Sequence, residues 1–391
     1  MRIGIDARFL THPQPGGFKT YTENLIEALA RVDRENEYFL YTDRPLKKQI
    51  NSLNNTNFIS CIVPGELSIV GMPWREQVGL ARQAGNDKID IFHSPCLTAP
   101  LTIKHPLVIT VHDMIWAFPE RFLQSSSPSA KRKLMEWYNR VIPRYAIKVA
   151  SAIITVSNAA RKSIKEHLKL DDDHIFVTHE APNPLFKQIK DEQCIASVRD
   201  KYNLPANFIL AIGSADPRKN ISRLLQAYSR LPRELQETFQ LAIVWTHSFL
   251  AHELSEQIEK LQLANRLTFL ESVPNSDLVS LYNAASLFAF PSLYEGFGLP
   301  PLEAMACGAP VVAADNSSIP EIVGDAALLF NAQDVDEISN GIRRILTDGT
   351  LRAIMSKKGV ERAASFSWDK CARETINVYK TVYESRWGNG K

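Results

Sequence analysis

Short apolar runs alternate with helix-length amphipathic stretches from one end of this chain to the other, and few folds accommodate that pattern. In the first half the runs fall at Ile3–Asp6, Tyr38–Tyr41, Phe58–Val63, Ile89–His93, Leu107–Val111, Ala152–Val156 and Ile175–Thr178. In the second they fall at Phe208–Ile212, Leu241–Val244, Leu267–Phe269, Leu287–Phe290, Val311–Ala313 and Ala327–Phe330. Each is too short for a buried helix and reads as a strand. A strand, a helix and a further strand return the chain parallel to itself, so the series predicts an α/β architecture of doubly wound parallel sheets. The alternation breaks at Ala181-Pro182-Asn183-Pro184 and resumes at Phe208. Two prolines in four residues suit a linker, which predicts one domain over 1–188 and a second over 195–369.

Composition narrows the class. With 391 residues, 45% of them hydrophobic, and no apolar run approaching the ~18 residues of a membrane helix, the chain reads as a two-domain globular protein. The opening MRIGIDARFL is a strand rather than a secretory signal, because Asp6 and Arg8 interrupt it, and this predicts a cytoplasmic location. Five scattered cysteines form no CxxC pair and join no histidine cluster, so neither disulfides nor zinc is predicted. Residues 1–190 hold 25 Lys and Arg against 19 Asp and Glu, and residues 191–391 hold 20 against 24. A basic first half suits an anionic surface or substrate; no nucleic-acid partner is predicted.

The densest chemistry lies in Phe290–Val312, FPSLYEGFGLPPLEAMACGAPVV. An apolar strand leads into a turn that Gly296 and Gly298 make permissive, and Pro300-Pro301 can open a helix. Such a turn aims unpaired backbone N–H groups and the positive end of a helix dipole at one point, where a diphosphate can bind. Glu303 is expected inside the first helical turn, where a carboxylate suits the dipole. Glu295, in the turn itself, has no evident structural duty. A dinucleotide fingerprint does not fit, because Pro301 stands where a third glycine would be.

The run EGFGLPPLEAMACGAPVV resembles the signature of retaining, nucleotide-sugar-dependent glycosyltransferases of glycosyltransferase family 4. The resemblance covers essentially the whole chain and is strongest from Phe208 to Phe330. It implies the GT-B fold, two Rossmann-like domains facing across a cleft, with a C-terminal helix, about 370–391, crossing back to the first domain. It further implies that Glu303 bonds ribose hydroxyls, that Glu295 holds sugar hydroxyls, and that the backbone of Gly296, Phe297, Gly298 and Leu299 cradles phosphate and sugar. Val273 falls where the family holds the nucleotide base.

Three further constellations complete the candidate set. Gly213-Ser214-Ala215-Asp216-Pro217-Arg218-Lys219-Asn220 follows a strand, and the cations of Arg218 and Lys219 suit a diphosphate leaving group. Many family members have Arg where this chain has Ser214, so Lys219 matches best. Gly16-Gly17-Phe18 before a helix at Thr20–Ala30 permits close backbone approach to a phosphate or sugar, following a loop with Pro13 and Pro15. Val111-His112-Asp113 ends a strand. The family places such a histidine at the donor sugar, with Asp113 to orient it, and His93 is a weaker candidate on the acceptor side. Ser157 reads as a helix cap.

The resemblance implies transfer of a hexose from a nucleoside diphosphate sugar, UDP-glucose as first guess, to a glycan or lipid-linked glycan in envelope polysaccharide synthesis. Front-face attack with Arg and Lys in place of a divalent ion needs no metal and no cofactor, and no Asp-x-Asp motif sits on a donor-site turn. A nucleotide-sugar-binding subunit without activity and a nucleotide-sugar 2-epimerase of the same fold are the alternatives. Residues 129–148 combine Lys131, Arg132, Lys133, Arg140, Arg144 and Lys148 with Trp137 and Tyr138, a set suited to peripheral contact with an anionic membrane. Pro143 is expected to interrupt that helix, which favours an ordinary structural role.

Overall fold

The computed structural model describes residues 1–12, 16–46, 57–65, 71–117, 130–246 and 252–387. Pro13 and Pro15, and the side chains of Lys131, Arg132 and Lys133, lie outside that description. The chain forms two compact units, which divide between Glu180 and Ala181 and again between Phe366 and Ser367; Ser367 onward belongs to unit 1.

Unit 1 is built on a seven-stranded sheet: β1 (Arg2–Asp6), β2 (Glu37–Thr42), β3 (Phe58–Ile62), β4 (Ile91–Ser94), β5 (Leu107–Val111), β6 (Ala152–Thr155) and β7 (Ile175–Val177). Their order is β3-β2-β1-β4-β5-β6-β7, with parallel pairing as in Ile3↔Tyr38 and Ile3↔Ile91. Unit 2 holds six strands: β8 (Phe208–Gly213), β9 (Gln240–Trp245), β10 (Leu267–Glu271), β11 (Leu287–Phe290), β12 (Val311–Ala314) and β13 (Ala327–Phe330). Their order is β10-β9-β8-β11-β12-β13, again parallel. Strands such as Leu107–Val111 are buried at every position, because helical crossovers cover both faces of a parallel sheet. Strand order reverses between β1 and β4 in unit 1 and between β8 and β11 in unit 2. Ligands of such sheets gather at that reversal, outside the carboxyl ends of the strands.

Two helices bear on later arguments. The last, Trp368–Trp387, starts where the Ser367 hydroxyl accepts from the Lys370 N–H at 3.1 Å. It stays in unit 1 through an Arg31–Asp369 ion pair at 2.7 Å and a buried bond between the Tyr379 hydroxyl and His93 Nδ1 at 2.6 Å. The helix Ala130–Val149 runs unbroken through Pro143, contrary to expectation. Pro143 removes one backbone bond, a cost of about 3 kcal/mol. Ile142, Ala146 and Ile147 are buried on the same helix, and at about 1.5–3 kcal/mol for each large apolar side chain that burial outweighs the loss.

Candidate functional site

The loops that leave β8 and β11 flank the strand reversal of unit 2 and are stitched to each other. After β8 the chain makes a short turn, Pro217–Lys219, capped by the Asp216 carboxylate, which accepts from the Arg218 N–H at 2.9 Å. Asn220 follows in the left-handed region, φ 55°, and its side-chain amide donates to the carbonyls of Pro291 at 3.0 Å and Ala332 at 2.8 Å. In return the Leu293 N–H donates to the Arg218 carbonyl at 2.7 Å, and the Ser292 hydroxyl does so at 3.2 Å.

This stitching brings Lys219 to Glu295. The Lys219 ammonium donates to Glu295 Oε1 at 2.7 Å and lies 5.5 Å from the Phe290 ring centroid, while the Ser292 hydroxyl donates to the same carboxylate oxygen at 2.6 Å. Glu295 therefore has, beside Ser292, a charged partner that lies 76 positions away in the sequence. Arg218 is turned aside: its guanidinium donates to Asp216 Oδ2 through Nε at 2.9 Å and through Nη2. Ser214 accepts from the Asp216 N–H at 3.2 Å. Beside this loop lies a cavity of about 310 Å³, lined by residues that include Ser214, Asp216, Arg223, Trp245 and Glu253.

The turn from Glu295 to Leu299 is rigid for identifiable reasons. Gly298 has φ +114°, and a Cβ there would stand 2.7 Å from Ile319 Cδ1. The Ser318 hydroxyl donates to the carbonyls of Glu295 and Phe297, and Ser317 Oγ accepts from the Glu295 N–H at 3.1 Å. Phe297 is buried edge-on against Phe366, and Gly296 is half-buried between it and Glu295. The helix Leu299–Ala306 then begins with its prolines in the first turn.

Glu303 is the fifth residue of this helix, just past the first turn, and no acid occupies the first turn. It is not the dipole partner that the sequence suggested; the buried Tyr282 hydroxyl donates to its Oε2 at 3.5 Å. Burial, then the Glu303 charge, pushes the Cys307 thiol up to about 12. Val273 is not gathered with the others. It follows β10 at the sheet edge, two strands from β8, and is half-buried.

In unit 1 the structure assembles a second group. His112, just past β5, has its Nδ1 3.1 Å from Glu180 Oε1 and its Nε2 3.2 Å from the Pro95 carbonyl. Tyr21 and Phe18 pack edge-on against the ring with centroids at 4.6 and 5.2 Å, which sets the Gly16-Gly17 loop beside it. The helix starts earlier than expected, as Gly17–Val32, and a Cβ at Gly16 or Gly17 would meet only open space. Asp113 does not take the orienting role: its carboxylate accepts from the Ile115 N–H at 2.9 Å, and Glu180 holds the ring. His93 cannot reach an acceptor, being fully buried with both ring nitrogens bonded, to Tyr379 and to Thr110 at 2.8 Å. Burial drops its pKa to about 3.

Glu180 was missed by sequence reasoning, and so was a buried polar cluster at the β1/β4 reversal. There Arg8 Nη2 contacts Asp6 Oδ2 at 2.7 Å and Glu76 Oε2 at 2.6 Å, while Arg75, wholly buried, donates to Asp6 Oδ1 at 3.1 Å and to the carbonyls of Val63 and Tyr41. Burial opposes the Arg8 charge, but Asp6, Cys96 and Glu76 hold its guanidinium above the usual value. The only signal in the sequence was two charges interrupting a strand end. Among the described residues no group of three or more His, Cys, Asp or Glu could hold a metal ion.

Comparison with known proteins bears on what these loops do. The family profile of glycosyl transferases group 1 matches residues 196–362, and that of Glycosyltransferase Family 4 matches 15–181. O-antigen chain mannosyltransferase B of Escherichia coli is 36% identical over 294 residues, covering 75% of this chain and 74% of that protein. The serotype-specific mannosyltransferase WbdA of Escherichia coli is 36% identical over 245 residues, 60% of this chain but only 29% of WbdA. The crystal structure of Anabaena HepE in complex with UDP and glucose matches over 97% of this chain and 100% of its own, with a TM-score of 0.74 at 22% identity, a likeness of fold.

Proposed function

Because this chain belongs to the group 1 and family 4 glycosyltransferases and has their α/β GT-B fold, we propose that it transfers a mannosyl residue from a nucleoside diphosphate mannose to a hydroxyl of a glycan or lipid-linked glycan. Mannose takes the place of the glucose first expected, since the relatives at 36% identity are mannosyltransferases by name. The observation that carries the reading is the Lys219–Glu295 pair at the strand reversal of unit 2, where a cation for a diphosphate and a carboxylate for sugar hydroxyls share one bond.

In this mechanism the donor diphosphate takes the Lys219 ammonium, and the released Glu295 carboxylate accepts from hydroxyls of the sugar. Charge accumulating on the leaving diphosphate is then neutralised without a metal ion. Arg218 joins only after leaving Asp216, so Lys219 is the principal cation. The turn N–H groups from Gly296 to Leu299 add donors to phosphate and sugar, and Glu303 accepts from ribose hydroxyls. Within unit 1, His112 and the Gly16-Gly17 backbone form a sugar-binding candidate of their own. The configuration is retained, with the leaving phosphate oxygen taking the acceptor's proton.

The test is a thermal-shift panel of UDP, GDP and ADP and their mannose and glucose conjugates, followed by transfer assays with the donor that binds. A ligand at a hundredfold excess over its Kd stabilises the native state by about 2.7 kcal/mol. The reading expects a mannose conjugate both to stabilise the protein and to be consumed by transfer. Transfer from a glucose conjugate would overturn the sugar; stabilisation without turnover would favour the binding subunit; conversion of the donor without an acceptor would favour the epimerase.

A further inference from the structure

One face of the helix Ala130–Val149 turns large apolar side chains to solvent. Leu134, Trp137, Tyr145 and Val149 are 40%, 58%, 56% and 55% exposed, and Arg144 and Lys148 are exposed among them. At ~100° per residue these six positions and Val141 fall within an arc of about 140°. The single acid between positions 134 and 149, Glu136, falls outside that arc. The buried residues fix the helix's rotation: Ile142, Ala146 and Ile147 lie outside that arc, and Tyr138, at its edge between Tyr145 and Val149, is turned inward, its hydroxyl donating to Glu76 Oε1 at 2.6 Å and accepting from Gln77 Nε2 at 2.9 Å. That bond ties the helix to the segment carrying Trp74 and Val78, which are 45% and 48% exposed.

The chemistry of the face selects its partner. A protein interface concentrates apolar groups at its centre and charges at its rim. Here cations alternate with rings along the same stripe and no carboxylate interrupts it. That is the pattern of a helix lying in a lipid headgroup layer, where rings and aliphatic stems reach the acyl boundary while guanidinium and ammonium groups meet lipid phosphates. We propose that this face docks the protein on an anionic lipid bilayer. The inference does not depend on the identity of the sugar. Among the described residues no helix is long and apolar enough to cross a membrane.

The experiment is co-sedimentation of the full chain with vesicles of phosphatidylcholine alone and of phosphatidylcholine with phosphatidylglycerol. Wild type should bind the anionic vesicles selectively, and less as salt is raised. Removing two cations with Arg144→Gln and Lys148→Gln should weaken binding roughly thirty-fold, at about 1 kcal/mol for each charge. Trp137→Ala should weaken it while leaving the salt dependence in place. All three side chains are exposed, so melting temperature and nucleotide affinity should not change, which separates lost docking from misfolding. No binding to anionic vesicles, equal binding to both compositions, or binding indifferent to these substitutions would overturn the proposal. So would a dimer that Trp137→Ala converts to a monomer, which would assign the face to a second copy of the chain.

Discussion

The candidate site in unit 2 and the His112 group in unit 1 are put together by different means. In unit 2 the chemistry sits in two short loops, Gly213–Asn220 and Pro291–Leu299, each directly after a strand and each braced by its neighbours' hydroxyls and amides. In unit 1 the partners are single residues from separate segments: His112 meets Glu180 across 68 positions, Arg8 meets Glu76 across 68, and His93 meets Tyr379 across 286, separations that bracket the 76 between Lys219 and Glu295 but without a glycine-bearing loop around each partner. A loop-borne site leaves a contiguous motif, whereas a site assembled from distant segments leaves single residues that look like ordinary core or surface positions.

Lys219 offers the sharpest break in that comparison. Removing its ammonium with Lys219→Ala should lower kcat/KM by roughly 10²–10³-fold, the cost of one preorganised charge partner of a developing anion. Arg218→Ala should cost less, because Arg218 is already satisfied by Asp216. Equal losses from the two substitutions in a steady-state transfer assay would mean that the ligand-free pairing does not rank the cations.

Gly298 tests whether the unit 2 turn is as rigid as its bonding implies. Alanine there must adopt φ +114° with its Cβ in collision with Ile319. Unfolding free energy should drop by roughly 2–3 kcal/mol in a denaturant titration. An unchanged midpoint would show that the turn relaxes, and the argument for a preformed anion cradle would weaken with it.

These two cases also mark how far the sequence could be read. The thirteen strands of the described residues lie within two residues of where hydrophobic periodicity placed them, and central ones such as Leu107–Val111, buried on both faces of a parallel sheet, write an unbroken apolar run. The Gly-rich turn was legible for a similar reason: φ > 0 at Gly298 demands glycine locally. Pairings were not legible. Nothing in the residues around Glu295 names Lys219, and nothing around His112 names Glu180. Trp137 and Tyr138 are adjacent and equally aromatic, yet only the packed helix shows that one is exposed and the other bonded to Glu76. Pro143 stays within its helix because the tertiary burial of Ile142, Ala146 and Ile147 overrides local propensity.

Glu180 tests the distant assembly in unit 1. As a residue that holds the His112 ring, it should act on turnover rather than on donor affinity. Glu180→Gln, which keeps an acceptor oxygen, should lower kcat roughly ten-fold with little change in nucleotide binding, and Glu180→Ala should cost more. Equal loss of nucleotide affinity in both variants, measured by calorimetry, would mean that Glu180 supports the fold instead of the ring.

The smallest expected effect concerns His93, and it isolates the long-range bond to Tyr379 from the chemistry altogether. Burial lowers the folded-state pKa of His93 to about 3, while the unfolded chain keeps the ordinary value near 6.5. As pH falls below about 6.5 the unfolded state therefore binds a proton that the folded state refuses, so stability present above that pH is lost progressively down to about pH 3. By pH 6 the loss is about 0.8 kcal/mol, and the slope then approaches about 1.4 kcal/mol per pH unit. Glutamine at this position can still offer a donor and an acceptor to Tyr379 and Thr110 but does not titrate. Denaturant titrations of wild type and His93→Gln at pH 7.5 and pH 6 should show the wild type losing the larger share of its stability. If the two lose equally, other groups account for the acid sensitivity of unit 1, and the Tyr379 bond holds the last helix without making it pH-dependent.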